Sequence, residues 1–289
     1  MTLDLLLGIL EIILIATTPL VFAAIGELVT EKSGVLNLGV EGMMLVGAVS
    51  SFVILVITGN YFLAFLISIL SGIIMSGLFA VLVLFFMSNQ IATGLALTIF
   101  GIGISSMLGK EYIGTPIQGL SPWIFVILSF ILVLFISYFF YKTKAGLILR
   151  AVGESHTSAH ALGYSVIKIR FLAIIFGGSM CALAGSYISI CYAPMWQEGM
   201  TAGRGWIALA LVVFATWRPE RILIGAYIFG GVTILQMNLQ ALGVRVPGQF
   251  FSMAPYLATI IVLVFISSNK LRIKLSAPAS LTIPFYKNK

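Results

Sequence analysis

The sequence predicts an all-α membrane protein with about eight to ten transmembrane helices in one domain spanning residues 1–289. Three observations predict it. Of the 289 residues, 60% are hydrophobic and 9% charged, with a mean hydropathy of +1.14, whereas a soluble domain carries roughly 25% charged residues. Apolar runs of about 20 residues, the length of a helix crossing a bilayer, recur along the whole chain. The short alternating strands of a β-barrel are absent from the pattern.

The first span is read at residues 5–28, with Pro19 inside it, and a link with Glu31 and Lys32 follows at 29–33. Span two covers 34–58 and ends at the tight turn Gly59-Asn60. Spans three to five are expected at 61–87, 91–108 and 123–141. Span four ends in a polar loop broken by Gly114, Pro116, Gly119 and Pro122. The longest charged stretch, 142–170, comes next. Span six is expected at 171–192. A Gly- and Pro-containing loop leads to residues 206–217, which at 1.5 Å per residue rise only about 18 Å against a core of roughly 30 Å. This run reads as a broken or re-entrant helix. Spans eight and nine are placed at 222–242 and 251–267, and a basic tail fills 269–289. Leu95-Ala96-Leu97-x-x-Phe100 echoes Leu209-Ala210-Leu211-x-x-Phe214 and points to duplicated halves, a frequent transporter design.

The net charge of +7 follows topology. With 142–170 placed inside, alternation leaves only Lys110, Arg204 and Arg245 outside, which gives an N-out, C-in orientation with about nine crossings. Basic residues lying between apolar runs argue against a nucleic-acid partner. The N-terminus lacks a basic n-region and carries Asp4 and Glu11, so it reads as a retained span. Cys181 and Cys191 lie ten positions apart in one apolar run, about 15 Å on a helix, too far for a disulfide. No Cys/His spacing suits a metal, and no Gly-rich phosphate loop, HExxH or GxSxG is present. The chain is expected to be no enzyme and to bind no cofactor of its own.

Polar residues inside the apolar runs carry the functional signal, because burying them costs energy. Asn37 and Glu41 stand at i, i+4, expected on one helix face, interleaved with Gly34, Gly39 and Gly42. Two readings of Glu41 stay open: it lines a pathway, or it ties together a local helix break. Gln236 and Gln240 form a second i, i+4 face, suited to a neutral hydroxylated solute or to helix-to-helix hydrogen bonds. Asn89 and Gln90 lie at a span end, as pathway residues or as a cap. Trp206 and Trp217 bracket the short run as interface anchors, and Trp206 is also a candidate pathway residue. His156 and His160 read as surface helix. Within 142–170, residues 151–163 are expected as one or two short helices with Gly153 and Gly163 as breaks, and small residues such as Ala151, Ala159 and Ala161 give them a low profile able to dock into a partner's groove. An ion-gradient-driven secondary transporter of a small polar solute is the rival reading, with Glu41 as its one plausible mid-membrane acid. An assembly factor without a pathway would not need the polar faces.

FAAIGELVTEKSGVLNLGVEGMMLVGA (22–48), NQIATGLALTIFG (89–101), LRAVGESHTSAHALGYSVIKIRFLA (149–173) and EGMTAGRGWIALALVVFATWRPE (198–220) resemble the inner-membrane permeases of ABC importers for simple sugars, above all the nucleoside-type subgroup. PYLATIIVLVFIS (255–267) and APASL (277–281) fit as well. The resemblance implies a multi-pass permease in the bacterial inner membrane. It implies a second permease, sister or identical, and ATP-binding subunits on the cytoplasmic face that hold ATP and Mg. It also implies a periplasmic or lipid-anchored substrate-binding protein. Carried onto this chain, it makes Arg150, Gly153, Glu154, Ala159, Leu162 and Gly163 part of the segment that couples to the ATPase, and places residues 37–42 near the translocation path.

Overall fold

A computed structural model describes residues 3–241 and 277–286, with single positions 253, 257, 260, 261 and 264 between them. Burial is described from residue 7 to residue 234 and again in the C-terminal segment. Ten α-helices and no strand are found among the described residues. They are α1 (Leu3–Lys32), α2 (Val40–Thr58), α3 (Tyr61–Leu84), α4 (Gln90–Gly109), α5 (Trp123–Lys142), α6 (Lys144–Glu154), α7 (His156–Ala161), α8 (Val166–Tyr187), α9 (Arg204–Phe214) and α10 (Pro219–Ala241). Among the described residues, six stretches are long and apolar enough to cross a membrane: Leu7–Lys32, Val40–Thr58, Tyr61–Leu84, Gln90–Tyr112, Trp123–Lys142 and Val166–Tyr192. Span nine and the basic residues of the tail, Lys270 to Lys274, lie outside the described residues apart from isolated positions.

Local chemistry sets the boundaries. Asn60, Asn89 and Thr143 cap α3, α4 and α6, each accepting a backbone N–H of the first turn through its side chain. Gly59, at φ 65°, closes α2. Three expected boundaries move. Helix α1 runs on through the expected link to Lys32. Residues 33–39 are non-helical, so the apolar run read as the start of span two is a loop. Helix α8 starts at Val166 rather than 171 and takes Lys168 and Arg170 with it.

The packing order reveals a repeat. Helix α8 packs on α1, α2 and α3, while α1 packs on α8, α9 and α10. Each half is an unbroken helix, a pass that begins non-helical and ends as a helix, and another unbroken helix. The two central helices are exchanged between the halves. The Leu95–Phe100 echo falls on α4 and α9, which are not equivalent in this order, so it does not record the duplication. Small residues bring the exchanged helices close: Gly26 lies against Gly177, and Gly47 and Met44 against Ala182 and Gly185. Hydroxyls seal the crossings, with Ser68 Oγ 2.9 Å from the Ala182 carbonyl and Ser189 Oγ 3.0 Å from that of Ala48. Pro19 lacks an N–H and leaves the carbonyl four residues back without its helical donor. Tyr187 of α8 supplies one, its hydroxyl 2.9 Å from the Ile15 carbonyl. A π-helical turn, Ile188–Tyr192, ends this helix and carries Cys191. Cys181 and Cys191 are both free thiols.

Candidate functional site

Lys32, Lys142, Lys144, Arg150, Lys168, Arg218 and Arg221 gather at one end of the helices, with α6 and α7. At the other end residue 113 bridges to 196 and residue 116 to 195, joining two loops. The pass between α8 and α10 starts there, with Trp196 wholly buried against Gly109, and descends without helix to Gly203. Helix α9 then completes it to the basic end. The pass before α3 climbs from the basic end as residues 33–39 and becomes helical at Val40. The two helix starts meet. Gly42 touches Gly101, eleven residues along α4 from Gln90, so the meeting lies about 16 Å from the basic end, near the middle of a bilayer core.

Glu41 sits at this junction and is 6% exposed. Thr201 Oγ1 donates to Oε1 at 2.5 Å, the Gly203 N–H to Oε1 at 2.8 Å and the Gly205 N–H to Oε2 at 2.6 Å. The carboxylate thus occupies the positive start of α9, where helix N–H groups lack internal partners. The fit requires glycine. Gly203 has φ 80°, and a Cβ on Gly205 would lie 2.6 Å from the Glu41 backbone. Both carboxylate oxygens are committed, which leaves little for the proton cycle an ion-gradient-driven transporter would ask of Glu41.

Asn37 does not share a helix face with Glu41, because it lies in the loop before α2. Its Oδ1 accepts the Gly39 N–H at 2.9 Å, an Asx turn that launches the helix. Its own N–H donates to Glu27 Oε1 at 2.9 Å. Gln90 is buried, and its Oε1 accepts the Leu36 N–H at 2.9 Å. Asn89 is exposed and caps α4. Trp206 is partly exposed on α9 beside the junction. Trp217 is buried and donates its indole N–H to Glu31 Oε2 at 2.5 Å, so it is not an interface anchor. The side chains of Gln236 and Gln240 lie outside those described.

The segment 142–170 holds two short helices, α6 and α7, and the first turn of α8. Gly153 lies within α6, where a Cβ would strike the Lys32 carbonyl, and the break falls at Ser155, the N-cap of α7. Arg150 lies over the Tyr141 ring at 5.5 Å and helps line a cleft of about 390 Å³ with Lys32, Glu154, Arg218 and Glu220. Ala159 is buried among Val152, Val166 and Phe285. It faces this chain's own C-terminal segment, not outward as the docking reading expected. The outward residues are Leu162, 76% exposed, Gly163 at φ 87°, and Tyr164.

Sequence reasoning missed Glu27, Glu31, Thr201, Arg170 and Phe285. Glu27 and Glu31, four apart on α1, were the findable pair, since a polar stripe inside an apolar run is a signal. Arg170 was read as part of a water-exposed segment but is 1% exposed. Its partners come from distant parts of the chain. Nε donates to the Ser33 carbonyl at 3.1 Å, Nη1 donates to that of Ile283 at 3.0 Å, and Nη2 lies 3.5 Å from His156 Nδ1. His156 and His160 meet Phe285 edge-on, at 5.5 and 5.2 Å between ring centres. Burial and the Arg170 charge hold His156 below its ordinary value of 6.5.

Broken passes that meet at mid-depth and a helical platform at the basic end define a membrane transport subunit. The profile of the family described as "Branched-chain amino acid transport system / permease component" matches residues 9–266, and the chain belongs to that family. It is similar to a glucose ABC transporter permease protein of Haloferax volcanii, 38% identical over 95% of this chain and 96% of that one. It is also similar to the guanosine ABC transporter permease protein of Bacillus subtilis, 30% identical over 97% and 98%. The nucleoside ABC transporter permease protein of Lactococcus lactis is 30% identical over 86% and 89%. No solved structure matches the chain. The chain is therefore a multi-pass permease subunit of an ATP-driven ABC importer, a transport component and not an enzyme. Membership implies ATP-binding subunits and a substrate-binding protein as its partners.

Proposed function

We propose that this permease carries a nucleoside or a simple sugar through the bacterial inner membrane. A second permease, sister or identical, completes the pathway, ATP and Mg are held by separate subunits against α6 and α7, and an external receptor delivers the solute. The observation that carries the reading is the α6–α7 platform. It stands at the end where Lys and Arg gather, the cytoplasmic end by the positive-inside rule, and presents Leu162 and Tyr164 outward. An exposed pair of large side chains at the turn that ends a short helix suits a groove in a soluble partner. The solute class is supported by the junction. Both oxygens of its acid, Glu41, are taken up by backbone N–H groups and Thr201, so neither is turned outward to ligate a cation, while nearby amides and hydroxyls suit a neutral polyol.

ATP closes the partner ATPase dimer, the docked platform shifts, and the passes that begin without helix reorient about the junction. Differential affinity of ATP and of the loaded receptor for the inward- and outward-facing states supplies the work. The test is uptake of labelled guanosine or glucose by vesicles holding the whole transporter. We expect saturable uptake that needs ATP, and we expect Leu162→Asp to release the ATPase subunits while the permease still inserts. ATP-independent uptake, or Leu162→Asp retaining its ATPase, would overturn the reading.

A further inference from the structure

The C-terminal segment 277–286 belongs to no span, yet it is built into the platform. The Ser280 N–H donates to the Gly153 carbonyl at 2.8 Å, and the His156 N–H donates to Ser280 Oγ at 3.3 Å. Pro278 lies against Gly153, and Phe285 fills the apolar pocket of Val152, Ala159 and Val166 while both histidine rings stand edge-on to it. The segment is a strap across α6, α7 and the start of α8.

Arg170 bolts this strap to the interior. A guanidinium presents donors in a fixed planar fork. Here the fork reaches the carbonyl that follows α1, the carbonyl of Ile283 in the strap, and the ring of His156 at the start of α7. The imidazole must be neutral with its proton on Nε2, since Arg has only donors to offer. The positive charge also lies at the C-terminal, negative end of α1. Gly34 opens the loop toward α2 at φ 91°, and a Cβ there would come within 2.7 Å of Arg170 Nη2 and 3.2 Å of the Ser280 carbonyl. One side chain therefore touches the coupling helix, the strap and the loop that leads to Glu41.

We propose that Arg170, with the strap it holds, is the positioning residue that transmits movement of α7 to the broken pass at 33–39. A rigid push on α7 turns the first turn of α8, and the fork drags the Ser33 carbonyl and so the start of α2. Without the fork, α7 moves and the junction does not follow. The inference rests on the importer reading.

The test uses the complete transporter in proteoliposomes and reads solute taken up per ATP hydrolysed. Wild type comes first: absence of ATP-dependent uptake there sinks the importer reading itself. Given a working wild type, Arg170→Ala is expected to lower the ratio about tenfold, with ATPase subunits still co-purifying and basal hydrolysis within about twofold. Arg170→Lys is expected not to rescue, because one ammonium cannot serve three directions. Phe285→Ala leaves Arg170 in place and is expected to lower the ratio about threefold, so it decides the matter if Arg170→Ala fails to insert. An unchanged ratio in Phe285→Ala overturns the proposal, on its own if the Arg170 variants fail to insert and otherwise together with an unchanged ratio in either of them. So does loss of the ATPase from both Arg170→Ala and Phe285→Ala, which would make the cluster an assembly contact.

Discussion

Glu41 and Arg170 are both buried and both held by uncharged groups rather than by an opposite charge, and they are used differently. Glu41 is an anion at the start of a helix, held by one hydroxyl and two backbone N–H groups. Arg170 is a cation at the end of a helix, held by two carbonyls and an imidazole. In each case backbone groups help to satisfy the charge, those at the start of α9 for Glu41 and the Ser33 and Ile283 carbonyls for Arg170. The Glu41 clasp joins two helix starts inside the body. The Arg170 fork joins a helix end to two elements on the surface. The comparison teaches that the first is a fixed joint and the second a linkage.

The sharpest way to break that contrast is Glu41→Ala. It strands three donors in an apolar interior, and we expect a loss of about 3 kcal/mol or more, read as a lowered midpoint of thermal unfolding in detergent. Transport per ATP in the protein that survives should be normal. Full stability with lost uptake would instead make Glu41 a pathway residue. Trp217→Phe removes the donor to Glu31 while keeping most of the ring, and should cost about 2 kcal/mol in the same assay. Gly34→Ala tests the linkage: the left-handed backbone and the crowding against Arg170 should cost about 1–2 kcal/mol and lower transport per ATP, a joint effect that Trp217→Phe should lack. The smallest effect concerns acidity. Neutral His156 accepts from Arg170, and a protonated ring cannot. Because its folded value lies below 6.5, the contact is intact at neutral pH and is lost as pH falls below that ordinary value. Protease cleavage of the strap should rise a few-fold between about pH 7.5 and about pH 5.5. His156→Asn, which keeps an acceptor, should flatten the rise.

Much of the architecture was legible because local signals and hydropathy agree. Asn60 and Asn89 cap helices whose apolar runs begin within a residue of them, and Gly59 ends the run before. The short run at 206–217 was legible as a broken pass from its length alone. A break in the second span was one of the readings from its glycines, but its extent over residues 33–39 was not legible, because Val35, Leu36 and Leu38 sustain the hydropathy while Asn37 and Gly39 turn the chain. Arg170 was misread for a related reason. Its neighbours Lys168 and Tyr164 are exposed, and nothing within ten residues announces that its partners are Ser33 and Ile283. Glu41 was legible as a residue of consequence, and both of its readings were stated. Only the position of α9, more than 160 residues onward, shows which groups take up its oxygens.

The exchange of α1 and α8 between the halves also bears on how the chain is made. The inward face of α1 carries Glu27, Thr30 and Glu31, and Glu31 finds its donor in Trp217, 186 residues later. At the usual pace of translation that interval lasts on the order of ten to forty seconds. Throughout it, Glu31 on the first helix is without this donor in lipid. The helix would need shelter at the insertion machinery, or beside a chaperone, until its late neighbours arrive. Slowed synthesis of the second half should then harm this protein more than slowed synthesis of the first.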